Sequence, residues 1–128
     1  MKAMIFAAGL GTRLKPFTLE HPKALVPVCG KPMLQRVIEN VADAGVTEIV
    51  VNVHHFAAQI TDFLRDNRNF GLDIKISDET DCLLDTGGGL LKARGLLLAS
   101  GSYEPILLHN VDILTDLPLG KMLANHME

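Results

Sequence analysis

Predominantly apolar runs alternate along the chain with stretches in which apolar residues recur every three or four positions. The opening run, residues 2–8, is apolar almost throughout, which is typical of a central parallel strand covered by helices on both faces. Similar runs occupy Glu48–Val53 and Glu104–His109, whereas Leu72–Ile76 alternates apolar and polar residues. The pattern therefore predicts four strands, of which the third has a wetter face.

Helical spacing of apolar residues fills the segments that follow these strands. Pro32 suits the first turn of a helix and Gly45 suits its end, so the pattern between them predicts a helix over residues 32–44. Further helices are predicted over residues 56–67, 88–99 and 119–126. The order βαβαβαβα implies an α/β, Rossmann-like three-layer αβα fold with a mainly parallel sheet of strand order 3-2-1-4.

This topology also predicts where a ligand binds. In an open α/β sheet, ligands bind beyond the carboxyl ends of the strands, at the point where the strand order reverses. With the order 3-2-1-4, that point lies between the first and fourth strands. We therefore expect the loops after Ala8 and after His109 to face each other across a crevice.

Composition limits the class of protein. A chain of 128 residues and 13.9 kDa fits one average domain, and 48% hydrophobic with 21% charged residues is ordinary for a folded protein. The longest stretch without Asp, Glu, Lys or Arg, Ile49–Thr61, is too short to span a bilayer, and the N-terminus lacks a secretory pattern. We expect a soluble cytoplasmic protein without a membrane partner.

Charge is unevenly distributed along the chain. The net charge of −3 argues against a general binder of nucleic acid. Residues 1–36 hold six basic side chains and one acidic one, however, whereas residues 37–128 hold six basic and fourteen acidic ones, so the two parts carry +5 and −8. Positive charge concentrated in a short segment indicates a local anion site.

The loop after the first strand has the residue types of such a site. Gly9 and Gly11 let the main chain approach a ligand and present N–H groups to phosphate oxygens. Arg13 can bind phosphate through two parallel hydrogen bonds, and Lys23 adds a point charge. Leu14 replaces the third glycine of a dinucleotide fingerprint, and the Gly-Lys-Ser/Thr of a Walker loop is absent. A flexible surface loop with solvated charges is the alternative interpretation.

Three segments of this loop form one longer pattern. They are GLGTRLKPFT (Gly9–Thr18), PKALVPV (Pro22–Val28) and KPML (Lys31–Leu34). Together they closely resemble the signature of sugar-1-phosphate nucleotidylyltransferases, which join a nucleoside triphosphate to a sugar 1-phosphate and release pyrophosphate. Related cytidylyltransferases of isoprenoid synthesis and molybdenum-cofactor guanylyltransferases share the Gly, Arg and Lys pattern, but they usually lack the Lys-Pro that opens the helix here.

A second glycine-rich segment, LDTGGGL, covers residues 84–90. Its N–H groups are suited to contact a base or a phosphate, although a flexible helix start is the alternative interpretation. The segment resembles the family's second motif, which contributes to base recognition. Its Thr-Gly-Gly-Gly form looks most like N-acetylmuramate-1-phosphate uridylyltransferases and mannose- or heptose-1-phosphate guanylyltransferases, so the resemblance favours UTP or GTP.

The fourth strand leads to Asp112 at the predicted switch point. A carboxylate there can hold Mg²⁺ that bridges a triphosphate, and the resemblance implies that Asp112 is the metal ligand. A helix cap or an exposed acid is the alternative. The family commonly has Gly before this Asp, so we expect the branched side chain of Val111 to narrow the approach of the nucleotide.

Two other groups of side chains are given no catalytic role. His54 and His55 are adjacent at a strand end and have no evident third ligand, so loop residues are favoured over a metal site. An acidic cluster is interpreted as a solvated loop, and it consists of Asp78, Glu79, Asp81 and Asp85.

The resemblance implies a role for each candidate residue. Arg13 would stabilise the leaving pyrophosphate, Lys23 would bridge the α-phosphate and the incoming phosphate, and Asp112 would hold Mg²⁺. The residues assigned to the nucleotide are Ala7, Ala8, Gly9, Gly11, Thr12, Thr86, Gly87, Gly88 and Asn110. A noncatalytic nucleotide-sensing or regulatory subunit is the alternative function, against which the presence of both cations and the carboxylate weighs.

The resemblance changes the interpretation of the chain length of 128 residues. Residues 1–128 then correspond to the nucleotide-binding N-terminal part of a nucleotidyltransferase domain, with the sugar-binding part outside this chain. We expect the chain alone to bind a nucleoside triphosphate weakly and not to turn over with a sugar 1-phosphate. The open side of the fourth strand is expected to favour self-association.

Overall fold

Four parallel strands form the central sheet of the computed structural model, which describes residues 1–99, 101 and 103–128. In chain order the strands are β1 (Lys2–Phe6), β2 (Pro27–Val28), β3 (Lys31–Pro32), β4 (Glu48–Val53), β5 (Asp73–Asp78) and β6 (Ile106–Asn110). The order in the main sheet is β5-β4-β1-β6, and β2 and β3 form a short antiparallel pair. The predicted α/β fold and strand order 3-2-1-4 are confirmed.

Among the described residues, four α-helices accompany the sheet. They are α1 (Met33–Asp43), α2 (Ala57–Asp66), α3 (Asp85–Leu97) and α4 (Leu119–Met127). Each lies within three residues of its predicted bounds. In the part of the chain that the structure describes, no helix is both long and apolar enough to cross a membrane.

Different helices cover the two faces of the sheet. On one face, Ala3 and Ile5 of β1 belong to a buried cluster with Leu34 of α1, to which α2 and α4 also contribute. On the other face, Met4 packs with Ala93 of α3. Both faces of β1 are therefore buried, which explains why its apolar residues are consecutive rather than alternating.

β1 ends two residues earlier than the apolar run predicted. The run extends to Ala8, but the strand ends at Phe6. The N–H groups of Ala7 and Ala8 donate to Oδ1 of Asn52 in β4, at 2.6 and 3.2 Å. The Asn52 side chain thus takes the place of the backbone carbonyl groups of β4 as hydrogen-bond acceptor, and the loop begins at this point.

α3 begins at Asp85, so its predicted start at residue 88 was wrong. Gly87, which precedes the predicted start, lies in the first turn of the helix together with Gly88. A Cβ atom at Gly89 would lie 2.9 Å from both Asn52 Nδ2 and Glu79 Oε2. Glycine is therefore required here by a close approach of the helix to the sheet.

β6 forms one edge of the sheet and begins at Ile106, two residues after the predicted start. Pro105 has no N–H group for the ladder. A groove of about 290 Å³ between β6 and α4 is lined by apolar side chains that include Leu108 and Met122. The open edge expected from the sequence is present among the described residues, and self-association through it stays a prediction.

The packing predicts different costs for two leucines on helices. Leu34 is fully buried, whereas Leu91 is 69% exposed. Leu34→Ala should lower the free energy of unfolding by about 2–5 kcal/mol because it leaves a cavity under α1, and Leu91→Ala should change it by less than about 0.5 kcal/mol. Chemical denaturation of both variants measures the difference, and equal losses would contradict the packing described.

Candidate functional site

A cavity of about 230 Å³ opens where the carboxyl ends of β1 and β6 meet. The predicted site residues that line it are Ala8, Gly9, Lys23, Thr86, Asn110 and Asp112. The loops after the first and fourth strands therefore face each other, as the topology predicted.

A larger cavity of about 500 Å³ lies between α1 and residues 113–116. Arg36 is the basic residue in its wall, and its guanidinium already donates to the carbonyl oxygens of Val28 and Cys29, at 2.8 and 3.1 Å. That cation is engaged by backbone oxygens. The smaller cavity beside β1 is therefore the better candidate for an anionic ligand.

Lys23 and Asp112 meet inside the smaller cavity. Nζ of Lys23 lies 3.5 Å from Oδ2 of Asp112, and the two side chains are 18% and 48% exposed. A solvated ion pair at this distance contributes about 0–1 kcal/mol. A ligand can separate the ammonium and carboxylate groups at small cost, which leaves one for a phosphate and the other for a cation.

Glycines in the first loop make room for the Lys23 side chain. A Cβ atom at Gly9 would lie 2.6 Å from Lys23 Nζ, and one at Gly11 would lie 2.8 Å from Lys23 Cβ and 2.7 Å from Thr18 Cγ2. Gly11 also has a φ angle of +64°, which favours glycine. A side chain at Gly11 would displace the base of the Lys23 side chain, and one at Gly9 would displace its ammonium end from its present position.

The same loop presents unused backbone donors. Among the described residues, no acceptor is bonded to the N–H groups of Gly9, Leu10 and Gly11. Successive free N–H groups of this kind suit a phosphate. The N–H groups of Ala7 and Ala8, in contrast, are already bonded to Asn52, so other atoms of these two residues remain for a nucleotide.

Arg13 lies outside the cavity lining. It belongs to a short 3-10 turn, Thr12–Leu14, and both Thr12 and Arg13 are exposed. The guanidinium forms no hydrogen bond or ion pair with any residue that the structure describes. The structure leaves this charge unpaired on the loop but does not bring it together with Lys23 and Asp112.

His54 and His55 connect backbone segments. The ring of His54 donates from Nδ1 to the carbonyl oxygen of Glu79 at 2.6 Å, and that of His55 donates from Nε2 to the carbonyl oxygen of Thr18 at 2.7 Å. Since Thr18 in turn donates from its hydroxyl to the Gly11 carbonyl, His55 anchors the glycine loop. Both residues are loop residues, as interpreted from the sequence.

Asp112 offers a carboxylate to a metal, and Asp85 is a second aspartate that lines the same cavity. Within the described ranges, no group of three or more His, Cys, Asp or Glu side chains is arranged to hold an ion. Mg²⁺ is commonly held by one or two carboxylates together with substrate phosphates. An exposed carboxylate beside Lys23 fits that arrangement.

One member of the acidic cluster is not solvated, so the interpretation of that cluster needs correction. Asp78, Asp81 and Asp85 are exposed, and hydrogen bonds from the hydroxyl and the backbone N–H of Thr80 hold the pKa of Asp78 below its usual range. Glu79, however, has no solvent-exposed surface. Its side chain turns inward from the loop, toward β4.

Glu79 is bonded there to Asn52, a residue that sequence reasoning missed. Asn52 Nδ2 donates to Glu79 Oε2 at 2.8 Å, and the Leu84 N–H donates to Glu79 Oε1 at 3.2 Å. Asn52 also lines the cavity. The available signal was a single amide in the otherwise apolar run Ile49–Val53, because a buried polar side chain requires partners.

The second glycine-rich segment contributes less to the cavity than its sequence suggested. Thr86 lines the cavity, but Gly87 and Gly88 are not part of its lining. A Cβ atom at Gly88 would lie 2.9 Å from Leu84 Cβ, whereas one at Gly87 would meet nothing within 4 Å. Packing explains Gly88, and nothing in the structure explains Gly87.

Val111 does not narrow the cavity, so that expectation was wrong. Its side chain is fully buried in the core cluster that also contains Ala7 and Ala24. Its N–H donates to the Phe6 carbonyl at 3.1 Å, which continues the pairing of β6 with β1. The branched side chain therefore points into the core and leaves the approach to Asp112 open.

Comparison with known proteins identifies a family and several relatives of this chain. The family model described as "Nucleotidyl transferase" matches residues 2–128. Mannose-1-phosphate guanylyltransferase 1 of Arabidopsis thaliana is 42% identical over 98% of this chain and 35% of its own length. N-acetylmuramate alpha-1-phosphate uridylyltransferase of Caulobacter vibrioides is 43% identical over 86% of this chain and 45% of its own length.

Solved structures agree with the fold. HddC from Yersinia pseudotuberculosis, complexed with GMP-PN, aligns with a TM-score of 0.80 and 27% identity over 99% of this chain and 54% of that one. UDP-glucose pyrophosphorylase complexed with UDP-glucose aligns with a TM-score of 0.79 and 23% identity over 98% and 52%. This chain thus spans between a third and about half of the length of the proteins it matches.

The loop geometry predicts unequal effects of two glycine substitutions. Gly11 and Gly30 both have positive φ, but only Gly11 has atoms in the path of a Cβ. Gly30→Ala should cost about 1–2 kcal/mol from backbone strain alone, and Gly11→Ala should cost at least about 1 kcal/mol more because of overpacking. Denaturant unfolding of the two variants gives the difference, and equal costs would show that Gly11 is not held against Thr18 and Lys23.

Proposed function

We propose that this chain, which belongs to the nucleotidyl transferase family, forms the part of a sugar-1-phosphate nucleotidyltransferase that binds the nucleoside triphosphate. In that reaction a phosphate oxygen of the sugar 1-phosphate attacks the α-phosphorus of the triphosphate, and pyrophosphate leaves. The cavity in which Gly9, Lys23 and Asp112 meet is the observation that carries the proposal.

The chemistry requires charge and position rather than a strong base. A phosphate monoester is already ionised at neutral pH, so alignment and neutralisation of charge can supply the catalysis. Lys23, released from its loose pair with Asp112, would lie between the α-phosphate and the incoming phosphate. The free N–H groups of Gly9 and Gly11 would hold phosphate oxygens, and Arg13 would move toward the leaving pyrophosphate.

Asp112 is the residue that would hold Mg²⁺. Its exposed carboxylate faces the cavity beside Lys23. When bound, the ion would supply neutralisation of the triphosphate charge. Thr86 and Asn110, which line the same cavity, remain proposed nucleotide contacts.

UTP and GTP are the proposed nucleotides. A guanylyltransferase and a uridylyltransferase match this chain at 42% and 43% identity, so neither base is preferred by similarity. The proposed acceptors are the corresponding sugar phosphates, mannose 1-phosphate and N-acetylmuramate 1-phosphate.

Removal of the Lys23 charge should weaken nucleotide binding. Lys23→Ala should raise the Kd of UTP or GTP with Mg²⁺ by about 10- to 150-fold, because a charge-assisted hydrogen bond to phosphate contributes about 1.5–3 kcal/mol. Isothermal titration of the purified chain measures this change. Lys121→Ala removes an equal charge from α4 and should leave the Kd unchanged, so equal losses in both variants would count against the cavity.

Turnover tests the enzymatic part of the proposal. In the full-length protein, Arg13→Ala or Lys23→Ala should lower kcat for pyrophosphate release by at least about 100-fold, as expected when a charge-stabilising donor is lost. The assay combines UTP or GTP, Mg²⁺ and the candidate sugar 1-phosphates. Nucleotide binding without pyrophosphate release from any of these mixtures would instead favour the regulatory alternative.

A nucleotide panel identifies the base. With Mg²⁺ present, UTP or GTP should raise the Tm of the chain more than dTTP or CTP at the same concentration, because stabilisation grows with the ratio of ligand concentration to Kd. Equal shifts with all four would show that the chain binds the triphosphate without reading the base.

A further inference from the structure

We infer that Asn52 and Glu79 are positioning residues, whose buried hydrogen bond fixes the two sides of the cavity relative to each other and thereby controls nucleotide affinity. The inference rests on the proposed function for the identity of the ligand. Asn52 and Glu79 lie at the base of the cavity and are distinct from the residues proposed to bind the phosphates.

Asn52 holds the side of the cavity formed by β1. Its side chain is 3% exposed and reaches from β4 beneath the end of β1. Oδ1 accepts from the N–H groups of Ala7 and Ala8 at 2.6 and 3.2 Å. These bonds end the strand and determine where the chain turns toward Gly9, so the phosphate loop starts from a point set by Asn52.

Glu79 holds the opposite side. Its carboxyl group is fully buried, accepts from Asn52 Nδ2 at 2.8 Å, and accepts from the Leu84 N–H at 3.2 Å. Its own N–H donates to the Val53 carbonyl at 2.8 Å, which fixes the residue to the end of β4. One continuous series of hydrogen bonds therefore runs from residues 7 and 8 to Leu84, the residue before α3.

α3 rests directly on this pair. A Cβ atom at Gly89 would come within 2.9 Å of both Asn52 Nδ2 and Glu79 Oε2. The start of α3 therefore packs against the pair at Gly89, and Thr86, one turn earlier in the same helix, lines the cavity. A change in the pair would move Thr86 relative to Gly9.

Stability alone does not require these residue types. A buried carboxyl group and a buried amide are costly to desolvate, and apolar residues of similar volume usually stabilise a core at least as well. Here the polar groups lie at the base of the cavity and link both of its walls. Only an amide can both accept two N–H groups through its oxygen and donate to a carboxyl group through its nitrogen.

Exchange of donor and acceptor tests the pair. Asn52→Asp places two acceptors opposite each other, and Glu79→Gln places an extra donor opposite Asn52 Nδ2 or the Leu84 N–H. The double variant N52D/E79Q restores every donor and acceptor, because the amide introduced at position 79 can then donate to the carboxylate introduced at position 52. Each single variant should raise the Kd of UTP or GTP with Mg²⁺ at least about tenfold, and the double variant should return within about threefold of the original value.

Two controls separate positioning from general loss of stability or altered charge. Ile60→Val shortens a fully buried side chain of α2 outside the cavity, so it should lower the Tm and leave the Kd unchanged. Charge is separated from positioning by the two single variants themselves, because Asn52→Asp adds a buried negative charge and Glu79→Gln removes one. A purely electrostatic effect on an anionic nucleotide would move their Kd values in opposite directions, whereas loss of positioning raises both.

Amide hydrogen exchange measures the hydrogen bonds to Asn52 and Glu79 in the absence of any ligand. The N–H groups of Ala7, Ala8 and Leu84 should lose protection in each single variant and regain it in the double variant. If the original chain binds no nucleoside triphosphate, the proposed function fails, and this exchange pattern still decides whether the pair sets the two walls. Protection that is unchanged in the single variants would overturn the inference.

The binding results can overturn it as well. Original Kd values in both single variants, or an equal rise in Kd for Ile60→Val at the same loss of Tm, would show that the pair only stabilises the fold. If a single variant does not fold, the folded double variant remains informative, because recovery of the original Kd supports the inference and a Kd about tenfold weaker contradicts it.

Discussion

The hydrogen bonds of Asn52 determine how a cavity forms at the carboxyl end of the sheet. An amide buried in a parallel sheet must satisfy both of its ends, and it does so by ending β1 at Phe6 and by drawing Glu79 inward from its loop. The glycine loop and the first turn of α3 depend on this arrangement, since one follows Ala8 and the other lies over Glu79. The cavity is therefore built outward from a polar contact in an otherwise apolar core.

The position of the Lys23 ammonium group, in the same cavity, depends on the space around its side chain. Lys23 reaches Asp112 because Gly9 and Gly11 have no side chains in its path, and Gly11 is held by Thr18, which His55 in turn anchors. The resulting ion pair is loose and partly solvated. A strong, buried pair would satisfy the lysine and oppose its transfer to a phosphate, whereas this one leaves its ammonium available.

Charge counting overestimates the anion site. Six basic residues lie within residues 1–36, but Arg36 donates to the Val28 carbonyl and Lys31 pairs with Glu39 on the surface. Only Lys23 of this group lines the cavity, and Arg13 stays unpaired outside it. The asymmetry of charge points to the segment that contains Lys23, although two of its six cations, Arg36 and Lys31, hold the loop against α1.

The local sequence pattern was sufficient to predict the strands and helices, because they depend on the periodicity of apolar residues. The strand order and the two facing loops then followed from the right-handed connection of βαβ units. The pattern was not sufficient for the pair of Asn52 and Glu79, which are 27 residues apart, or for the inward direction of Val111. Burial of a polar or branched side chain at a strand end depends on which element packs over it. That is decided only when distant segments meet, so the sequence determined which loops face each other across the cavity and the tertiary structure decided how the cavity is held together.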